Sequence, residues 1–295
     1  MPHTRTGPFP IGFRIGWSDW QRHLPNVISF AKSNGFESLD VADLPAEQIK
    51  PILAAGLMVG SVDLKHPWEP IAAADPKRRK DAVAAASDHI HSVTKLGIRN
   101  FFTVIFPESD SRDRGESFRF AVEGYAMLAQ SIAGSGAKIV IEGFPGSYPY
   151  YPAFCATPES LRVFFKETAS DSLAINFDPS HLIRMGIDPV RFLDEFAGRV
   201  GHVHGKDTEI MEDKLYEFGN LQPATLAEPH PFGGHHWRYC IPGHGVARWE
   251  MLLRILKDSG YDGVISVELE DEHFNGSEEG EKRGLIASRD FLAGV

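Results

Sequence analysis

The stretch LAINFDPSHLIRMGIDPVRFLDEFAGRVGHVHGKD, residues 173–207, decides the fold. An apolar run at 173–178 leads through an amphipathic segment at 188–198 to a second apolar run at 200–205. Two short strands separated by a helix cannot form a hairpin. They pair in parallel, as a βαβ unit does. Each run ends on a polar residue with chemistry to offer: Asp178 on the first and His204 on the second.

The same pattern extends in both directions. Strands are expected at 11–16 (IGFRIG), 36–41 (FESLDV), 57–63 (LMVGSVD), 99–106 (RNFFTVIF), 137–142 (AKIVIE) and 263–269 (GVISVEL). Helices are expected at 22–34, 45–55, 76–96, 117–134, 158–169, 247–259 and 278–292. Gly35, Gly56, Gly97, Gly136 and Gly260 stand between a helix and the next strand, where a left-handed C-cap is cheapest for glycine. Strict alternation of eight strands with eight helices makes a single-domain (β/α)8 TIM barrel over 1–295 the simplest solution, ahead of a doubly wound open sheet. One connection is abnormal. Residues 206–246 form a long insertion after strand seven, with EPHPFGGHHWRYCIPGHG at 228–245, and are expected to act as a lid or an interface.

Composition narrows the class. Hydrophobic residues make up 42% of the chain, enough for a large core, and the net charge of −10 argues against a nucleic-acid groove. Cys155 and Cys240 lack metal or redox spacing and read as free thiols in a reducing compartment. The polar, proline-rich start (MPHTRTGPFP) does not resemble a signal peptide, and no run reaches the roughly 20 apolar residues of a membrane span. The expectation is a soluble cytoplasmic protein.

In a barrel of this kind the active site lies at the C-terminal ends of the strands. Strand five ends IVIEGFP with Glu142, strand six NFDPSH with Asp178 and His181, strand seven HVHGKD with His204, and strand eight SVELED with Glu268. Side chains alternate along a strand, so Glu142 shares a face with Val140, Asp178 with Asn176, His204 with His202 and Glu268 with Ser266. Four adjacent strands thus present metal-competent groups at one level. Any one of them alone would read as a cap or a loop residue, but inward carboxylates together call for a cation. Three carboxylates and an imidazole, with no thiolate, suit Mn²⁺ first, and also Mg²⁺, Co²⁺ or Zn²⁺. His181 reads either as the opening of the next helix or as a ligand-facing group. His202 reads as a buried core histidine, Lys206 as a contact to a substrate oxygen and Asp207 as a capping residue.

With these segments in order (IEGFP, FDPSH, HVHGKD, SVELED and PGHGVARWEMLLRILKDSGYDG), nearly the whole chain resembles the xylose-isomerase-like barrel superfamily, the sugar-phosphate isomerase/epimerase group. The resemblance implies a metal held by Glu142, Asp178, His204 and Glu268. It also implies that Glu142 and Glu268 move the proton beside a substrate carbonyl while His181 contacts a substrate oxygen. Two positions depart from the ketose 3-epimerase pattern: Tyr148 stands where that group has a glutamate, and Ile210 where it has an arginine. HVHGKD with Lys206 is closer to the inosose-dehydratase and general isomerase branch.

The expected activity is therefore a metal-dependent isomerase or epimerase acting on a sugar or polyol carbonyl through an enediolate. Loss of a β-substituent from the same enediolate gives the lyase alternative, a dehydratase or β-eliminase on a keto-inositol or 3-keto-glycoside. Two rival readings are a subunit that needs a homo- or hetero-partner over the 206–246 insertion, and a metal-dependent endonuclease, which the acidic charge disfavours. His66 and Trp68 after strand three, with Trp17 and Asp19 after strand one, are candidates to line a carbohydrate pocket. His235, His236 and Arg238 are candidates to reach over it. No glycine-rich phosphate cradle is evident, which favours an unphosphorylated substrate.

Overall fold

The computed structural model describes residues 5–147, 152–220 and 226–295; Tyr148 lies outside them. Eight parallel strands close on themselves: β1 (Phe9–Arg14), β2 (Ser38–Val41), β3 (Met58–Asp63), β4 (Asn100–Thr103), β5 (Lys138–Glu142), β6 (Leu173–Phe177), β7 (Val200–Gly205) and β8 (Ile265–Val267). Each pairs with its sequence neighbour, and β8 pairs with β1 through Ile265–Ile11 and Val267–Phe13 to complete the ring. The doubly wound alternative is thereby excluded. A two-residue strand, Arg5–Thr6, folds back antiparallel on Phe9–Pro10.

Local chemistry sets the helix boundaries. Asp75 caps the helix Pro76–Thr94 by accepting from the Arg78 amide at 2.6 Å, and Thr157 with Ser160 forms a capping box before Pro158–Thr168. All five glycines expected at helix ends take positive φ, between 72° and 87°. The main apolar core lies between the barrel wall and its helices, with Phe13, Leu39, Phe101, Ile139, Ile175 and Val267 facing outward into it. A second, smaller cluster (Phe102, Val104, Val140, Ala153 and Ala174) fills the interior near the C-terminal mouth.

Deeper inside, the barrel is polar. Asp40 on β2 accepts from the Ser61 amide at 3.0 Å and lies 2.7 Å from His202 Nε2, both side chains fully buried. His202 is thus a hydrogen-bonded core histidine. The pair fits because residue 60 is glycine: a Cβ there would stand 2.5 Å from Asp40 Oδ1 and 2.9 Å from His202 Cε1.

The insertion 206–246 departs from an irregular loop. Asp207–Ile210 and Trp237–Cys240 pair antiparallel as a two-stranded ribbon, and a helix, Glu212–Phe218, follows the first ribbon strand. From His235 to Cys240 the segment is buried, not exposed as its aromatic and histidine content implied. Asp207 ties the ribbon's base. Its carboxylate accepts from the amides of Thr208 (2.8 Å), Gly243 (3.2 Å) and Ala247 (2.9 Å) and from Trp249 Nε1 (3.1 Å). The PGHG turn wraps so closely that a Cβ on Gly245 would lie 2.2 Å from Asp207 Oδ1. Both cysteines are buried, and no disulfide links them. Among the described residues no helix is long and apolar enough to cross a membrane.

Candidate metal centre

Glu142 ends β5, Asp178 follows β6, His204 lies near the end of β7 and Glu268 follows β8. The barrel brings one ligand atom from each to within 4.8 Å of all the others. How Asp178 arrives there is legible in the chain. Proline at 179 starts a short helix, Pro179–Arg184, and Asp178 caps it with Oδ1 on the Ser180 amide at 2.8 Å. Oδ2 is left buried without a hydrogen bond. The same turn swings His181 back over the mouth, with Nε2 3.2 Å from Glu142 Oε2 and 3.4 Å from Asp178 Oδ2. Both meanings of His181 therefore hold: it opens a helix, and the helix aims it at the carboxylates.

His204 Nδ1 lies 2.7 Å from Glu142 Oε1 and 3.4 Å from Glu268 Oε2, yet neither contact has hydrogen-bond alignment. Buried, unpaired Asp178 Oδ2 and His204 Nδ1, converging with two more carboxylates, form the donor set of a hard or borderline divalent cation. The residues fit a metal. Asn176 donates to Glu142 Oε1 at 2.7 Å and fixes that carboxylate's orientation. On its other edge, His204 Nε2 stands 3.7 Å from Asp40 Oδ2, and its ring stacks on Phe102 at 5.5 Å.

Electrostatics hold the acids ionised. Burial pushes the Glu142 carboxyl up and Glu268 adds repulsion, but His181 and His204 outweigh both and hold it well below the usual carboxylate range. Burial likewise opposes ionisation of Glu268, but Lys206, His204 and Arg14 bring it far below its ordinary value. Lys206 is buried with Nζ 3.3 Å from Asp178 Oδ2 and 2.9 Å from Glu270 Oε2, and it also touches Glu268. Desolvation would lower its ammonium, but Asp178, Glu268 and Glu270 raise it well above the normal lysine range. Arg14 forms a two-pronged pair with Asp63 at 2.8 and 2.9 Å, and its Nε lies 3.4 Å from Glu268 Oε1.

The remaining candidates divide. His66 stacks on Trp68 at 4.1 Å, and Trp68 stands edge-on to Phe102 at 5.8 Å, so this pair continues the wall that backs His204. Trp17 borders a recess of about 140 Å³ shared with Arg14, Glu268 and Glu270, whereas Asp19 pairs with Arg22 at the surface. Arg238 does not face the carboxylate cluster. It is engaged by Glu209 at 2.7 Å, Asp271 at 3.1 Å and Glu272 at 3.5 Å. His235 packs against Phe218 at 5.4 Å. The ribbon residue that reaches the site is Tyr239, with its hydroxyl 2.7 Å from His181 Nδ1 and its ring 4.6 Å from Lys206 Nζ. Tyr239, Asp40, Arg14, Asp63, Phe102 and Glu270 were not singled out from sequence. Charged residues inside apolar strands were the available signal for Asp40, Arg14 and Asp63; nothing marked Tyr239.

A larger cavity, about 590 Å³, opens at the opposite end of the barrel beside Met58, Asn100, Lys138 and Tyr261. It contains none of the convergent carboxylates or histidines, so its size carries no chemical argument.

Asp40 supports His204 from below, as carboxylates behind metal-ligating histidines do. Asp40→Asn is expected to weaken Mn²⁺ binding by roughly 10–100-fold while the barrel remains folded. Calorimetric titration with Mn²⁺ checks it; unchanged affinity would remove Asp40 from the site.

Eight parallel strands with a buried Glu/Asp/His/Glu set at their C-terminal ends define an α/β-barrel enzyme with a candidate divalent-metal centre. The chain belongs to the xylose isomerase-like TIM barrel family, whose model matches residues 28–293. It is 31% identical over 136 residues to the uncharacterized protein YfiH of Bacillus subtilis, covering 45% of this chain and 40% of that one. It is 26% identical over 157 residues to inosose dehydratase of Clostridium beijerinckii, covering 53% of this chain and 48% of that enzyme. The chain thus spans about half the length of the curated relatives it matches, or less. Among solved structures it resembles the apo form of 3-keto-D-glucoside 4-epimerase YcjR from E. coli (TM-score 0.71, 15% identity, 97% of this chain and 100% of that one). It also resembles a D-tagatose 3-epimerase-like protein (TM-score 0.68, 20% identity, 96% and 95%). At these identities the likeness is one of fold.

Proposed function

We propose that this chain is a divalent-metal-dependent isomerase or epimerase that moves the proton beside the carbonyl of a sugar or polyol through an enediolate. The observation that carries the reading is the convergence of Glu142, Asp178, His204 and Glu268 from four adjacent strands. These four would hold the ion, manganese first by donor type. When bound, the metal supplies Lewis acidity that stabilises negative charge on the substrate's oxygens.

The protein's own groups do the rest. Glu142 and Glu268, both kept ionised, are the base and its conjugate acid partner on either side of the reacting carbon. His181 and Lys206 present N–H donors to substrate oxygens at the same mouth. The Trp68–Phe102 wall, with His66 stacked behind Trp68, offers an apolar face for a sugar ring. Arg14 and Lys206 are already neutralised by Asp63, Glu268, Glu270 and Asp178, which supports an unphosphorylated substrate. His235 and Arg238 take no part in substrate binding on this reading. The docked ribbon serves as a fixed wall over His181.

A lyase outcome is the second reading, favoured by the alignment with inosose dehydratases and by the Lys206 ammonium. That ammonium is a proton donor suited to a departing oxygen beside the same carbon. Proton NMR of the manganese-loaded protein in D₂O, with the metal chelated before spectra, separates the two readings on a panel of ketoses, inososes and 3-keto-glycosides. Deuterium entering beside the carbonyl with a new isomer is the expected result, abolished in Glu142→Gln and Glu268→Gln. Loss of a β-substituent would transfer the assignment to the lyase. Inertness toward the whole panel with metal bound would overturn both and turn attention to a partner chain over residues 206–246.

A further inference from the structure

Tyr239 is carried by the insertion and touches two groups at the mouth in two different ways. Its hydroxyl stands 2.7 Å from His181 Nδ1, and its ring lies 4.6 Å from Lys206 Nζ. All three side chains are buried. His181 Nε2 is buried without a hydrogen bond although it sits 3.2 and 3.4 Å from two carboxylate oxygens. A bare nitrogen lone pair facing two carboxylates would be repelled, so that edge carries hydrogen. In a neutral imidazole one nitrogen donates and the other accepts. Nδ1 then accepts, and only a partner with an O–H can satisfy it there. Tyr239 supplies one. The ring is also wedged edge-on between Phe144 (5.1 Å) and Tyr239 (5.2 Å), which resists a flip that would exchange the two nitrogens.

Ribbon register makes this arrangement possible. Tyr239 pairs with Thr208, and the Thr208 hydroxyl donates to the Ser180 carbonyl at 2.9 Å, on the residue just before His181. The ribbon strand is therefore fastened to the short helix that bears His181, and the tyrosine reaches His181 from a fixed platform. The neighbouring Trp237 ring, on the same face of the ribbon, packs on Tyr239 at 5.1 Å and stiffens it further.

We infer that Tyr239 is a positioning residue that holds His181 as an Nε2–H donor aimed into the carboxylate cluster and presses Lys206 against Asp178, Glu268 and Glu270. This deepens the proposed function, since it rests on His181 and Lys206 meeting substrate oxygens. The hydroxyl serves the histidine and the ring serves the lysine, so the two actions separate genetically. Tyr239→Phe removes only the first; Tyr239→Leu removes both.

The test does not use turnover. Full-length protein with ¹⁵N-labelled histidine is compared by long-range ¹H–¹⁵N correlation spectra, chelated and again with Mg²⁺, the His181 signals being assigned by their absence in His181→Gln. Wild type is expected to show a protonated Nε2 and an acceptor-type Nδ1. Tyr239→Phe is expected to lose that single pattern while its Lys206 ammonium keeps its chemical shift in ¹⁵N-lysine spectra. Tyr239→Leu is expected to move the lysine signal too. A proton fixed on Nδ1 with a bare Nε2 in wild type would overturn the inference. So would a Tyr239→Phe spectrum identical to wild type. Because neither readout depends on a substrate, failure of the isomerase assignment and failure of this inference are distinguishable.

Discussion

Asp207→Ala is expected to cost the fold on the order of 3–5 kcal/mol, the scale of breaking a buried charged pair. The Asp207 carboxylate is buried and satisfies four donors: three amides and the Trp249 indole. Removing it leaves buried N–H groups unsatisfied, each costing about 1–3 kcal/mol where water cannot replace the acceptor. Asp207→Asn keeps the volume but retains one acceptor oxygen, so its loss should fall between wild type and alanine. The urea-unfolding midpoint reads the difference, with an unchanged slope showing that the same surface is exposed. A midpoint equal to that of wild type in the alanine variant would mean that the turn at 243–247 closes without the carboxylate.

The second large effect concerns the site itself. Glu268→Gln preserves shape and burial while removing one charge from the set that faces His204. Loss of the carboxylate should weaken Mn²⁺ by more than the roughly 100-fold that marks the upper end of changes behind the ligands. The Asp40→Asn variant calibrates that comparison within the same protein. Calorimetry or the electron spin resonance signal of free Mn²⁺ gives both affinities. Wild-type affinity in Glu268→Gln would take this glutamate out of the ligand set. The fold should survive, because Lys206 keeps Asp178 and Glu270 as partners.

The barrel was legible because its signals are local. Short apolar runs, helices with proline starts and glycine at αβ junctions each report within a dozen residues. Glu142, Asp178, His204 and Glu268 were legible because the strand ends of a barrel share one level, so four weak positions could be read together. Asp40 was hidden in mid-strand, where FESLDV places it among apolar residues. Its meaning depends on His202 and His204, more than 160 positions away. Tyr239 was hidden for a different reason. Which of Arg238 and Tyr239 faces the site depends on the register of a ribbon whose two strands lie nearly 30 residues apart, and a one-residue slip would exchange them. Chemistry alone pointed to the arginine; register selects the tyrosine.

The Asp207 knot also bears on how this protein can change over time. One carboxylate clasps the insertion where it leaves the barrel and again where it returns, so everything from Thr208 to Pro242 hangs from a stem whose geometry is already closed. Lineages can lengthen, shorten or replace that cassette without disturbing β7 or the helix after it. A new cassette would bring a different side chain over His181. Diversification of chemistry in such a barrel can therefore proceed by exchange of a whole module at one clasp, with the carboxylates beneath left untouched.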